Sequence, residues 1–214
     1  EQENHPSFTT GHCASAPNGL VYNAWNRKTA PGSQAPWNKG SGTGGVIRAY
    51  DFKTGEIKWN KNFDEECHIA PVVVPKQSGD GYVVVACQGS QGGHVGDEDA
   101  WISDEASQGW PSGDAWEAFI CGCDGDTGDE LWRFAVPVWN NYGAKGTYLN
   151  DIFLPDCFGS PTATKDGVVY SIHWSGIAYA VEADTGKLVG KTDVNASSQA
   201  APVILPGMLL LPTC

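Results

Sequence analysis

Short apolar runs, each introduced by a glycine, recur along the chain. The four runs consist of a glycine and three large apolar residues, at positions 19–22, 81–84, 167–170 and 207–210. Runs of this length beside turn-forming residues are typical of β-strands, because an amphipathic helix needs a longer periodic pattern. The repetition predicts the same strand in four successive units.

Two further features accompany these runs. A proline lies just before each run, in a segment that predicts the first strand of the unit: Pro17, Pro71, Pro161 and Pro202. After the first three runs comes another strand, which leads into a Thr-Gly pair that ends at Gly55, Gly128 or Gly186. An Asp or Thr side chain that caps the turn, and a glycine with positive φ, predict a hairpin there. We therefore expect four-stranded antiparallel meanders.

The spacing of these units indicates the architecture. The least interrupted unit extends from Gly167 to Gly207, about 40 residues, which is a typical length for a propeller blade. Trp59 and Trp132 follow the turn glycine by four residues in the first two units, whereas the third unit has Gly190. The chain is therefore predicted to be all-β, with blades of four antiparallel strands.

The repeated pattern of Ser-Pro, Asp-Gly-Val-Val-Tyr and Ala-x-Thr-Gly-x-x-x-Trp resembles the pyrroloquinoline-quinone-type repeat of the quinoprotein alcohol dehydrogenase-like β-propellers. The resemblance implies one propeller region over residues 1–214, with about three blades and the start of a fourth. The expected units are residues 12–63, 67–136, 157–194 and 198–214. It also implies that a tryptophan-docking motif stacks Trp59 and Trp132 between blades, with Gly55, Gly128 and Gly186 as structural docking positions. Further chain or partner subunits would complete the ring.

Charge and cysteine content limit the partners and the cellular compartment that the sequence predicts. The net charge of −12 and the pI of about 4.6 make nucleic acid an improbable partner. No stretch reaches the roughly 20 apolar residues that a transmembrane helix needs. Seven cysteines in a Gly- and Trp-rich acidic chain favour an oxidising compartment, with disulfides and at least one thiol left over. We expect an extracytoplasmic, secreted or organelle-lumen location.

Comparison of the units places extra sequence at residues 26–44, 90–116 and 137–156. In an up-and-down meander these three connections emerge on the same face, and loops on a rigid scaffold often carry binding. The insertions contain acidic residues among aromatic side chains, which favours protein docking. The residues expected to bind partners are Trp101, Trp110, Trp116, Asp97, Glu98, Asp99, Trp139, Tyr142 and Tyr148. The alternative is a solvated acidic loop whose tryptophans pack on the rim.

Candidate chemistry is sparse. The chain has neither the adjacent cysteine pair that the resemblance associates with a quinone nor a Cys-x-x-Cys-His haem motif. The acidic residues from Asp124 to Glu130 suggest Ca²⁺, but they coincide with the repeated turn and lack the EF-hand spacing. Cysteines four residues before three of the prolines, with two adjoining histidines, form a weak metal-site candidate: Cys13, Cys67, Cys157, His12 and His68. Buried small residues or disulfides would explain the same cysteines.

These features predict a non-catalytic β-propeller module that binds other protein subunits in a larger assembly, with no catalytic residues, no resident cofactor and no membrane span. The alternative is a fragment of a dehydrogenase for alcohols or sugars that depends on pyrroloquinoline quinone. Only that alternative implies the quinone and Ca²⁺.

Overall fold

The structure is a computed structural model, and it describes residues 13–26, 45–63, 67, 69–89, 118–137, 158–198 and 200–213. These residues form fourteen strands. Among them there is no helix, and so none long and apolar enough to cross a bilayer. The all-β prediction is confirmed.

Three antiparallel four-stranded sheets and one two-stranded hairpin follow one another along the chain. Blade 1 comprises β1 (Cys13–Ser15), β2 (Leu20–Asn26), β3 (Gly45–Asp51) and β4 (Ile57–Asn62). Blade 2 comprises β5 (Val72–Pro75), β6 (Tyr82–Gln88), β7 (Ala118–Asp124) and β8 (Glu130–Val136). Blade 3 comprises β9 (Thr162–Ala163), β10 (Val168–Ile172), β11 (Ile177–Glu182) and β12 (Leu188–Asp193). The hairpin of β13 (Val203–Leu205) and β14 (Met208–Leu210) has the strand order that opens each blade.

The turns between third and fourth strands form as the sequence predicts. The Asp51 carboxylate accepts hydrogen bonds from the backbone N–H of Lys53 and Thr54, at 2.9 and 3.0 Å, and Asp124 makes the equivalent contacts. Gly55, Gly128 and Gly186 have φ of 74°, 78° and 69°. This left-handed conformation favours glycine, since a Cβ would be strained there. A third strand that ends in such a turn leads directly into the fourth.

Burial alternates along the strands, so that each blade contributes one set of side chains to each neighbour. Tyr22 and Ala24 of β2 pack with Val84 and Ala86 of β6 in the apolar core between blades 1 and 2. A second core lies between blades 2 and 3 and includes Val83, Val85, Val169, Tyr179 and Val181. The core is therefore divided into layers between stacked sheets, which is the packing of a propeller.

The tryptophans lie at the outer part of these layers. The indole N–H of Trp59 in blade 1 donates to the carbonyl of Gly125 in blade 2, at 2.9 Å. The indole N–H of Trp132 in blade 2 donates to the carbonyl of Ala183 in blade 3, at 2.7 Å. A Cβ added to Gly128 or Gly186 would lie 2.6 or 2.3 Å from the respective ring, so the turn glycine leaves room for the indole.

The third blade ends differently. At the position of the two tryptophans it has Gly190, and a Cβ added there meets no atom within 4 Å. The hairpin β13–β14 follows, and four of its large apolar side chains share one face by register and are exposed: Val203, Leu205, Met208 and Leu210. Exposed apolar strands of this kind are usually covered by another element.

The first of the repeated prolines is misaligned. Pro71 and Pro161 immediately precede β5 and β9, but Pro17 follows β1 and lies in the turn before Gly19. The register explains the difference, because Ala14 pairs with Tyr22 as Thr162 pairs with Tyr170. Their shared spacing from these prolines therefore does not place Cys13 and Cys67 at equivalent positions of the two blades. Cys13 lies within β1, whereas Cys67 lies before β5.

A carboxylate joins blades 2 and 3 at the turn end of the sheets. Asp184 accepts hydrogen bonds from the backbone N–H of Gln77, at 3.0 Å, and of Ser78, at 2.8 Å. Partial burial raises the pKa of Asp184, but the hydrogen bonds from Ser78 and Gln77 outweigh it and hold the pKa below its usual value. Both donors belong to blade 2, so the charged form of Asp184 stabilises the junction.

Loss of this contact should destabilise the protein more at neutral pH than in acid. Because the folded pKa is depressed, the stabilisation is present above the unfolded pKa of about 3.9 and disappears as pH falls through the folded pKa. We expect Asp184→Asn to cost about 1 kcal/mol at pH 7, since solvent screens this partly exposed group. The difference from wild type should vanish by about pH 2 in urea unfolding. The control is Asp80→Asn, in the loop between β5 and β6. An equal loss of stability at both pH values in Asp184→Asn would contradict the assignment.

Candidate binding face

All three insertions begin or end at one end of the blades. In blade 1, the first insertion lies between Asn26 and Gly45, which pair with each other. In blade 2, the second insertion lies between Gln88, the last residue of β6, and Ala118, the first residue of β7. The third insertion follows Val136, which pairs with Ala118. These ends lie opposite the Thr-Gly turns, and the docked tryptophans align the turn ends of the three blades. We call the end that carries the insertions the inserted face.

The residues expected to bind partners lie outside the described residues. They belong to the second and third insertions: Trp101, Trp110, Trp116, Asp97, Glu98, Asp99, Trp139, Tyr142 and Tyr148. Their role stays a prediction. What the structure adds is the position of the strand ends from which both insertions rise.

Beneath the inserted face lies a row of buried side chains that the sequence analysis missed. Equivalent positions of the three blades are occupied by Trp25 of β2, Gln88 of β6 and His173 after β10. Each of them pairs with the third-strand residue that lies nine positions before the turn glycine of its blade. Gln88 and His173 are both 0% exposed. A buried polar side chain at the end of an apolar strand is unusual, and each needs its own explanation.

The two polar members of this row differ in their contacts. His173 Nδ1 lies 2.8 Å from the hydroxyl oxygen of Ser175, and its ring packs edge-on against Phe158 at 4.7 Å between centroids. The amide of Gln88 is buried and interacts with the thiol of Cys67. The only hint in the sequence was a glutamine directly before an insertion.

Most of the described thiols are buried among the blades. Cys13 is exposed, while Cys67, Cys87, Cys121 and Cys123 are buried, and no two of these five cysteines form a disulfide with each other. The expected disulfides are therefore absent from this part of the chain. Cys157, His12 and His68 lie outside the described residues, and the described residues contain no group of three or more metal-ligating side chains.

The environment of these thiols disfavours the thiolate. Burial raises the pKa of Cys67 to about 12 and also raises that of Cys87. The hydrogen bond with Cys123, followed by burial, raises the pKa of Cys121. Because the thiolate is the nucleophile and the metal ligand, we expect Cys67, Cys87 and Cys121 to react slowly and to bind metal poorly.

Alkylation tests this arrangement. We expect iodoacetamide at pH 8 to label Cys13 readily and to label the four buried cysteines at least about a hundredfold more slowly, because they react only after local opening. The protein is then unfolded in guanidinium, and the thiols that have not reacted are labelled with an isotopically heavy reagent. Peptide mass spectrometry of the two labels gives the alkylation rate at each cysteine. Labelling of Cys121 and Cys123 as fast as Cys13 would show that the layer between blades 1 and 2 is not packed as described.

The acidic turn of blade 2 is occupied by protein groups. One Asp124 oxygen accepts the two backbone hydrogen bonds of the turn, and the other accepts a hydrogen bond from the ammonium of Lys76 at 2.7 Å. Burial raises the pKa of Asp124, but Lys76 and the turn N–H groups hold it below its usual value. The acidic turn that suggested Ca²⁺ therefore has protein partners on both Asp124 oxygens.

Comparison with known proteins agrees with this geometry. Residues 119–213 match the PQQ-type family described as "Outer membrane protein assembly factor BamB". The solved structure of BamB from Moraxella catarrhalis superimposes with a TM-score of 0.53 at 16% identity, over 94% of this chain and 45% of that one. Residues 119–213, somewhat less than half of the chain, are thus similar to the β-propeller repeats of that family. This chain therefore spans less than half the length of that BamB structure, and the likeness at this identity concerns the fold.

Two solved dehydrogenase structures match over most of this chain, with lower TM-scores. Quinohemoprotein alcohol dehydrogenase ADHIIG from Pseudomonas putida HK5 matches with a TM-score of 0.47 at 16% identity, over 89% of this chain and 29% of that one. A europium-containing methanol dehydrogenase matches with a TM-score of 0.37 at 12% identity, over 91% and 44%. No curated protein matches the sequence.

Proposed function

We propose that this chain is a non-catalytic β-propeller module that binds protein partners in an extracytoplasmic assembly through its inserted face. The observation that carries the proposal is the convergence of all three insertions on one end of a rigid stack of blades. Loops that are carried by a rigid scaffold are a common location for binding surfaces.

The composition of the insertions suits a protein surface as the ligand. Residues 90–116 contain several acidic residues and three tryptophans but no lysine or arginine. Tryptophan supplies much of the binding energy of protein interfaces, while a surrounding charged rim sets specificity and association rate. The partner should therefore present a basic rim around an apolar centre.

The name of the BamB family supports an assembly role, and its reference to the outer membrane supports an extracytoplasmic location. The alternative, a fragment of a quinone-dependent dehydrogenase, rests on the shared repeat.

Charge reversal on the inserted face tests the proposal. In the full-length protein purified with its natural partners, we expect simultaneous replacement of Asp97, Glu98 and Asp99 by lysine to weaken the complex by about tenfold or more. The control is Asp80→Lys, on the opposite end of blade 2. Native mass spectrometry compares the two complexes at equal ionic strength. Retention of the complex by the triple variant, or its loss in the control, would argue against the inserted face as the binding surface.

A further inference from the structure

Blade 3 has a short turn at the inserted face, where blades 1 and 2 have insertions. Residues 173–176 join β10 to β11 there. The fourth strand, β12, begins after the Thr-Gly turn and therefore ends at the inserted face, where the N–H of Val194 donates to the carbonyl of Gly176 at 2.8 Å. Residues 193–197, at the end of β12, thus lie on the inserted face.

This segment has the sequence Asp-Val-Asn-Ala-Ser. Asn-x-Ser, in which x is not proline, is the acceptor pattern for N-linked glycosylation. Asp193, two positions before Asn195, extends it to the longer pattern that bacterial oligosaccharyltransferases favour. The segment therefore suits the transferases of the endoplasmic reticulum lumen and of the bacterial periplasm alike. No other asparagine of the sequence lies two residues before a serine or threonine.

The folded chain leaves the side chain of Asn195 available to carry a sugar. Asn195 is exposed, and its φ of 56° lies in the left-handed region, which asparagine tolerates better than most other residues. The Asp193 carboxylate accepts a hydrogen bond from the backbone N–H of Asn195 at 2.7 Å, so the backbone holds the turn. The side-chain amide of Asn195 makes no hydrogen bond to another described residue. A sugar on its nitrogen therefore displaces no contact among these residues.

The serine of the pattern determines when the sugar can be added. Ser197 is 2% exposed, although Asn195 is accessible. A transferase has to bind the hydroxyl of Ser197 together with the amide of Asn195, and the folded blade presents only the amide. The sugar must therefore be added before this segment folds, whereas the finished product fits the folded blade.

We propose that Asn195 is a site of N-linked glycosylation and that its sugar covers the end of blade 3 on the inserted face. The donor is a lipid-linked oligosaccharide diphosphate. The amide nitrogen of Asn195 forms a bond to the anomeric carbon of the sugar, and the bond from that carbon to the diphosphate oxygen breaks. The lipid diphosphate leaves, and the amide loses one proton.

The sugar limits where a protein partner can bind on the inserted face. An oligosaccharide is bulky and hydrated, so it keeps other proteins away from the surface around its attachment point. The insertions belong to blades 1 and 2 and to the connection that follows β8, so the partner contacts these and not the end of β12. The inference rests on the extracytoplasmic location in the proposed function, because oligosaccharyltransferases act outside the cytoplasm.

Peptide mass spectrometry of the full-length protein, purified from its natural source, tests the proposal. Electron-transfer fragmentation keeps a sugar attached and identifies the residue that carries it. We expect one oligosaccharide, on Asn195. Variants produced in the same cells should lose it completely in Asn195→Gly, which suits the left-handed φ, and in Ser197→Ala, but keep it in Ser197→Thr. Ser198→Ala is the matched control, since Ser198 is also 2% exposed but lies outside the pattern, and it should keep the sugar.

An unmodified Asn195 in the wild-type protein would overturn the proposal, as would a sugar that persists in Ser197→Ala or disappears in Ser198→Ala. Circular dichroism of each variant establishes that it is folded. Asn195→Gly should leave the bound partners unchanged, and their loss would contradict the position given to the sugar. Bound partners without a sugar would refute this inference alone, whereas a sugar without bound partners would refute the proposed function alone.

Discussion

Replacing Trp59 by alanine should lower the free energy of unfolding by about 4 kcal/mol, the typical loss for a buried tryptophan. The side chain is 8% exposed, its N–H donates to the Gly125 carbonyl, and its ring packs against Tyr22 at 5.8 Å between centroids. The substitution therefore removes apolar contacts and a hydrogen bond from the junction of blades 1 and 2. Urea unfolding followed by circular dichroism measures the change.

Two companion variants separate the components of this effect. Trp59→Phe keeps most of the apolar contact but loses the N–H donor, and it should cost about 1–2 kcal/mol beyond the change in ring size. Leu131→Ala removes an exposed apolar side chain from an outer strand and should change stability by less than about 0.5 kcal/mol. If Trp59→Ala were no more destabilising than Leu131→Ala, the indole would not hold the junction together.

Gly186→Ala should be much more destabilising than Gly55→Ala, although both glycines occupy the same turn position. Their φ values are 69° and 74°, so an alanine suffers a similar backbone strain of about 1–2 kcal/mol at each. At Gly186 the new Cβ would also lie 2.3 Å from the Trp132 ring, whereas at Gly55 it meets nothing within 4 Å. Displacement of the indole should add about 1–3 kcal/mol.

The comparison isolates tryptophan docking from the conformational preference of glycine. In a Trp132→Ala background, Gly186→Ala and Gly55→Ala should lower the free energy of unfolding by similar amounts, because the steric conflict at position 186 is then gone. Equal losses for Gly186→Ala and Gly55→Ala in the wild-type background would mean that Trp132 does not lie over the turn of blade 3. Differential scanning calorimetry gives both comparisons.

Much of the architecture could be predicted from the sequence because the repeat combines several local signals. Gly19 and Gly167 each precede a second strand, and the Thr-Gly turns adopt the positive φ that their glycines indicate. A turn residue, an apolar run and a fixed period all point to the same strand pairing, which is why the blades could be recognised. The length of the unit then indicated a propeller.

Other features needed the structure. Pro17 resembles the prolines that precede β5 and β9, but proline suits both a position before a strand and a tight turn, and only the pairing of Ala14 with Tyr22 distinguishes them. Gln88 was missed because a glutamine beside an insertion gives no sign of burial.

Native mass spectrometry of the full-length protein with its natural partners, with and without added Ca²⁺ and pyrroloquinoline quinone, tests the central claim most directly. The binding-module account predicts stably bound partner subunits, no mass increase equal to the quinone and no dye-linked oxidation of alcohols. Uptake of the quinone together with alcohol oxidation would contradict the account and identify the chain as part of a quinone-dependent dehydrogenase.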